Sequence, residues 1–161
     1  MTKPSQAYGP VFVAVDFSPQ SEQAFLFAAA YARNFHAPLL VLHVLHDPEG
    51  TPGVYRMEDG CGGLLPLKDA AQILLERFRE QLSTEYPNAC DDLEIDFQLS
   101  SGLPSNRILE IAERVHARLI VLGNTGQGSF SRLLMGSTAT SVMKGTLIPV
   151  TLVRALADRD E

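Results

Sequence analysis

Leu119-Ile-Val-Leu-Gly123-Asn-Thr-Gly126-Gln-Gly128-Ser-Phe-Ser-Arg132-Leu-Leu-Met-Gly136-Ser137-Thr138 runs a short apolar strand into a glycine-rich connection and then into the start of a helix. That order presents free backbone N–H groups to an anion, because the first N–H groups of a helix have no partner inside it. Glycine lets the backbone come close to a ligand with no Cβ in the way. Ser137 and Thr138 stand where the next helix begins, so their hydroxyls and N–H groups, with the helix dipole, suit phosphate oxygens. Two familiar phosphate loops do not fit. Gly123 and Gly128 have the spacing of the first two glycines of a P-loop, but Ser129 takes the place of its lysine. A dinucleotide fingerprint belongs after the first strand, where Asp16-Phe-Ser-Pro has no glycine.

Working outward, four further short apolar runs read as strands: Val11–Val15, Leu39–Leu45, Leu93–Leu99 and Val150–Val153. The third of the five in chain order, Leu93-Glu-Ile-Asp-Phe-Gln-Leu99, alternates apolar with polar and belongs near a sheet edge. Helical periodicity fills the gaps. Ser18 caps a helix with Pro19 at its first position, and Ala24, Phe27, Ala28, Tyr31, Ala32 and Phe35 make its apolar stripe. Ala71, Leu74, Leu75, Phe78 and Leu82 make a second stripe. Ile108, Ile111, Ala112 and Val115 make a third, and 137–144 is a shorter helix.

Strand and helix in alternation mean right-handed crossovers onto a parallel sheet. The expected fold class is α/β: an open five-stranded parallel sheet with helices on both faces. One domain spans 1–161, with a flexible N-terminal 1–8 and a long mobile loop at 47–66, rich in Gly and Pro. No internal repeat stands out.

The 161 residues are 45% hydrophobic and 20% charged, enough apolar material for one core. The formal net charge of −6 speaks against nucleic acid, whose phosphates call for a basic surface. No apolar run reaches the roughly 18 residues of a membrane span. The first eight residues hold no apolar signal core, so a cytoplasmic protein is expected. Cys61 and Cys90 read as free thiols.

The spacing Gly123, two residues, Gly126, nine residues, Gly136-Ser137 resembles the nucleotide loop of the ATP-binding universal stress proteins. Val15-Asp16-Phe-Ser, Leu42-His-Val44, Gly102-Leu-Pro and the final Pro149-Val-Thr-Leu-Val resemble the same family, so the likeness covers nearly the whole chain. It implies an adenine nucleotide alpha hydrolase-like fold with strand order 3-2-1-4-5, and roles at matching positions. Asp16 would face the adenosine. Val44 would offer backbone groups to the adenine, with Ala14 lining the same wall. Gly123 would meet the ribose. Gly126, Gly136, Ser137 and Thr138 would hold the phosphates, and Gly128 belongs to the same loop. ATP would come with Mg²⁺ or Mn²⁺ on its phosphates, and dimers through strand 150–153 are similar in that family.

Topology points to the same place. In an order 3-2-1-4-5 the switch point lies between the first and fourth strands, where open α/β sheets bind ligands, and Asp16 and Gly123 end those strands. Position alone also allows Asp16 to be a neighbour of a helix cap, and Gly136 to be a turn.

No nucleophile–base pair, P-loop lysine or arginine clamp is visible, so no catalytic residue and no protein-held metal are expected. Any hydrolysis should be slow. His43 and His46 would point to opposite faces of a strand, which disfavours a metal site. His36 and His116 end helices, where a cation suits the dipole. Arg132 reads as a solvated loop residue. The functional expectation is a nucleotide-dependent regulatory or stress-response protein read by a partner protein. The alternative is a dimeric scaffold of the same fold that binds no nucleotide.

Overall fold

The computed structural model describes residues 9–46, 54–56, 64–125 and 135–154. Five strands form one parallel sheet: β1 (Val11–Ala14), β2 (Leu39–His46), β5 (Ile95–Gly102), β6 (Leu119–Gly123) and β7 (Val150–Val153). Their order is β5-β2-β1-β6-β7, which is 3-2-1-4-5 when this sheet is numbered alone. Between β2 and β5 lie two short strands, β3 (Val54–Arg56) and β4 (Leu64–Pro66), paired antiparallel as a separate ribbon. The expectation of an unbroken loop over 47–66 is therefore corrected for these six residues. Three-residue strands carry too little periodicity to be read from sequence.

Helices cover both faces. Alternation along β1 sends Val11 and Val13 to one face and Phe12 to the other. The first face packs under α1 (Pro19–Asn34) and α2 (Leu67–Glu85), with Phe25, Phe78 and Leu82 in its core. The second packs under α4 (Pro104–Arg114) and α5 (Ser137–Gly145), around Leu40, Leu42, Ile108, Ile120 and Val142. A four-residue helix, α3 (Pro87–Cys90), follows α2.

The stripe expected of α1 needs correction. Its buried residues are Ser21, Ala24, Phe25, Ala28, Ala29 and Ala32, while Phe27 and Phe35 are 42% and 56% exposed. Phe27, Tyr31 and Phe35 instead stack along the helix flank, with ring centroids 6.5 and 4.4 Å apart. The parallel sheet accepts small alanines where α1 lies close to it, and the aromatic rings shift aside. Leu74 of α2 is likewise exposed.

α1 and the helix before β6 stop in the same way. His36 (φ 49°) and His116 (φ 52°) take left-handed backbone. His36 N–H donates to Arg33 C=O and Ala37 N–H to Ala32 C=O; His116 and Ala117 donate likewise to Glu113 and Ala112. Both are Schellman turns, with histidine where glycine is usual.

Candidate functional site

A cleft of about 730 Å³ opens at the carboxyl ends of β1, β2 and β6, on the α4/α5 side of the sheet. It lies where the strand order reverses, between β1 and β6. Its size is that of an ordinary small-ligand site. Of the residues proposed from sequence, it brings together Ala14, Asp16, Val44, Gly123, Gly136, Ser137 and Thr138. Gly126, Gly128 and Arg132 lie outside the described residues.

Asp16 is built by the turn from β1 into α1. Its Oδ1 accepts from the Ser18 N–H at 3.1 Å and from the Ser18 hydroxyl at 2.5 Å. Ser18 Oγ in turn accepts from the Ser21 N–H and so caps α1. Asp16 is thus both a neighbour of the helix cap and a wall of the cleft. Between Asp16 and Ser18 sits Phe17 at φ 65°, a left-handed conformation uncommon for a bulky side chain.

Another wall of the cleft is built by α5. Gly136 occupies its N-cap position, and no side chain caps the helix. Among the described residues, the first N–H groups of α5 therefore lack a side-chain acceptor beside the hydroxyls of Ser137 and Thr138. Thr140 closes the first turn onto Gly136 C=O through both its N–H and its hydroxyl, at 3.0 Å each. Both ends of the long connection are fastened at Asn124. Its N–H donates to Val153 C=O at 2.8 Å, and its C=O accepts from the Gly136 N–H at 2.9 Å.

Gly123 borders the cleft, yet its missing side chain faces elsewhere. A Cβ there would stand 3.1 Å from Gln20 Cβ and 3.2 Å from Gln20 C. Anything larger would have to push the start of α1 back from β6.

Among the lining residues that escaped the sequence reading are His46, Asn124, Pro104 and Ile108. His46 shares a face with Val44 by the two-residue strand period, which was a usable signal. Pro104 and Ile108 reach the cleft only because α4 packs beside α5, a tertiary fact. His43 turns the other way. Its ring packs 4.3 Å from that of Phe17, and its Nδ1 bonds the Val15 carbonyl at 2.8 Å. Burial holds its pKa below the ordinary histidine value. Among the described residues lining the cleft there is no Lys or Arg, and no group of three or more His, Cys, Asp or Glu gathers to hold a metal. No described helix is long and apolar enough to cross a membrane.

Known proteins resemble this chain in sequence and in fold. A universal stress protein of Methanocaldococcus jannaschii is 30% identical over 149 residues, 91% of this chain and 82% of that one. A universal stress protein of Mycobacterium tuberculosis is 29% identical over 156 residues, which is 96% of this chain and 50% of the relative, so the chain spans about half of that protein. Among solved structures, a universal stress protein of Archaeoglobus fulgidus in complex with dAMP superposes with a TM-score of 0.60 at 27% identity, covering 91% of this chain and 98% of the other. The model of the universal stress protein family matches residues 7–154. A switch-point cleft on a 3-2-1-4-5 sheet and a family match over nearly the whole length agree: the chain belongs to the universal stress protein family.

Proposed function

We propose that this protein binds ATP, with Mg²⁺ or Mn²⁺ carried on the phosphates, in the cleft at the switch point. We propose further that it acts as a nucleotide-dependent regulator in a stress response. The observation that carries the reading is the uncapped start of α5, set across one cleft from Asp16 and Val44. Phosphates at Gly136, Ser137 and Thr138 would place a base within reach of β2. The dAMP complex of the Archaeoglobus relative supports an adenine nucleotide as the ligand class.

Backbone N–H groups, two hydroxyls and the divalent ion would neutralise the phosphates, since the described lining holds no lysine or arginine. Those groups bind. They do not supply a positioned base and transition-state cations, so the reading is a binding protein with slow hydrolysis at most. The same reading puts it in the cytoplasm, where ATP is abundant, as a dimer through β7 that a regulatory partner protein recognises.

Titration calorimetry of the full chain with ATP and Mg²⁺ tests it. Micromolar binding is expected, and the double substitution Ser137→Ala, Thr138→Ala should weaken it by about tenfold or more, as two hydrogen bonds to a charged group are lost. Absence of binding at millimolar ATP overturns the reading in favour of the nucleotide-free scaffold.

A further inference from the structure

His43 stands one residue before Val44 and has no place in the site as described above. Backbone parity defines what it does. Pro38 C=O, just before β2, accepts from Val11 N–H and Leu42 C=O within it accepts from Val15 N–H, whereas Leu39 N–H donates to Glu94 C=O just before β5. Even-numbered residues therefore turn their backbone groups towards β1, and odd-numbered ones towards β5. By that rule the next rung of the β1–β2 ladder would be Val44 N–H to Val15 C=O. The pairing instead stops at Ala14–Leu42. The Val15 carbonyl is met by the ring of His43 at 2.8 Å, and because a carbonyl can only accept, Nδ1 is the donor.

The ring is fixed in that pose. It packs against Phe17, whose own ring meets Phe78 of α2 edge-on at 5.4 Å. The strained turn at Phe17 carries Asp16 into the cleft, so one imidazole touches both the end of the ladder and the turn beside it.

We propose that His43 is the positioning residue of the base-binding edge: by donating to the Val15 carbonyl it replaces Val44 N–H there, ends the β1–β2 ladder one rung early, and leaves the N–H and C=O of Val44 facing the gap where an adenine would lie. A planar base with adjacent donor and acceptor atoms would complete the missing rung, as an added strand would. The ligand half of this assignment rests on the nucleotide reading above; the ladder half does not. The lowered pKa fits a neutral ring that keeps its one proton on Nδ1.

Two measurements on the full chain test it, with His43→Phe, which keeps a ring and loses the donor, and His43→Asn, whose amide nitrogen can take the place of Nδ1. In nucleotide-free ¹⁵N-labelled protein, the Val44 amide should exchange quickly in the wild type and in H43N. It should exchange about tenfold more slowly in H43F, where Val15 C=O can take it as a ladder bond. Calorimetry with ATP and Mg²⁺ should show affinity kept in H43N and reduced about tenfold in H43F. Equal exchange at Val44 in wild type and H43F overturns the proposal. A lengthened ladder in H43F with unchanged affinity overturns its ligand half. A wild type that binds no ATP while the exchange pattern holds sinks the nucleotide reading and the ligand half with it, and leaves the ladder role standing. Should H43F fail to fold, a wild-type Val44 amide as protected as that of Val41 overturns the proposal by itself.

Discussion

Gly123 and His43 show how single residues serve the cleft without pointing into it. Gly123 sits in the cleft wall, but its glycine identity is set by Gln20 of α1, 3.1 Å from where a Cβ would be. Gly123→Ala should therefore cost about 1–3 kcal/mol, the usual range for overpacking, and shift the start of α1 that carries Ser18. Denaturant unfolding checks it: a loss below about 0.5 kcal/mol would mean that α1 moves aside freely. For His43 the sign of the pH effect follows from burial. Its pKa in the fold lies below the ordinary value of about 6.5 that the unfolded chain has. Between those two values the unfolded chain binds the proton and the native one does not, so stability falls as pH drops below about 6.5 until the folded pKa is reached. H43N should lack this part of the decline. Denaturation midpoints of wild type and H43N between about pH 5 and 7 should converge on acidification; parallel curves would show that burial does not govern the ring.

Elements carry a different lesson in α1. Its sequence holds Phe25, Phe27 and Tyr31, with Phe35 at the C-cap, and helical spacing favoured the last three as part of the core stripe. The sheet chose Phe25, with alanines around it, because a helix lying close over a twisted parallel sheet leaves room for one large ring and little else. Phe25→Ala should cost about 3–5 kcal/mol, and Phe35→Ala less than about 1 kcal/mol, since Phe35 loses only part of one stacked contact. Equal losses in thermal unfolding would contradict the burial. The two Schellman turns at His36 and His116 belong to the same scale. Each feeds a His-Ala-x-Leu junction into a buried strand, β2 or β6, so the two central crossovers end alike, although no repeat in the chain at large marks them.

The whole molecule presents β7 at the edge of the sheet, bonded on one side to β6. Its apolar run, with Leu147 fully exposed just before it, is a surface that a second copy would cover. Parity decides how to test this. Pro149 C=O and Val153 C=O accept from Ile120 and Asn124, so odd-numbered residues of β7 face β6 and Leu152 turns its N–H outward. Leu152→Pro should leave the fold intact and turn a dimer into a monomer by light scattering at tens of micromolar. Thr151→Pro removes an inner ladder bond and should cost about 3 kcal/mol or more. A wild type already monomeric there, or an L152P variant that stays dimeric, would refute pairing through β7.

The parallel sheet, its edge strand β5 and part of the cleft wall were legible in the chain, because buried parallel strands are continuous apolar runs and their connections have one hand. Asp16 and Gly123 could be named from the ends of those runs, and Gly136 and Ser137 from the start of the helix that follows. What the chain withheld depended on distance between elements. The short β3–β4 ribbon, the choice of Phe25 over Phe27, and the reach of Pro104 and Ile108 into the cleft all arise from packing between segments far apart in sequence. So does the meeting of His43 with Val15: a strand pattern says which face a side chain takes, and only the folded sheet says which carbonyl waits there, 28 residues back in the chain.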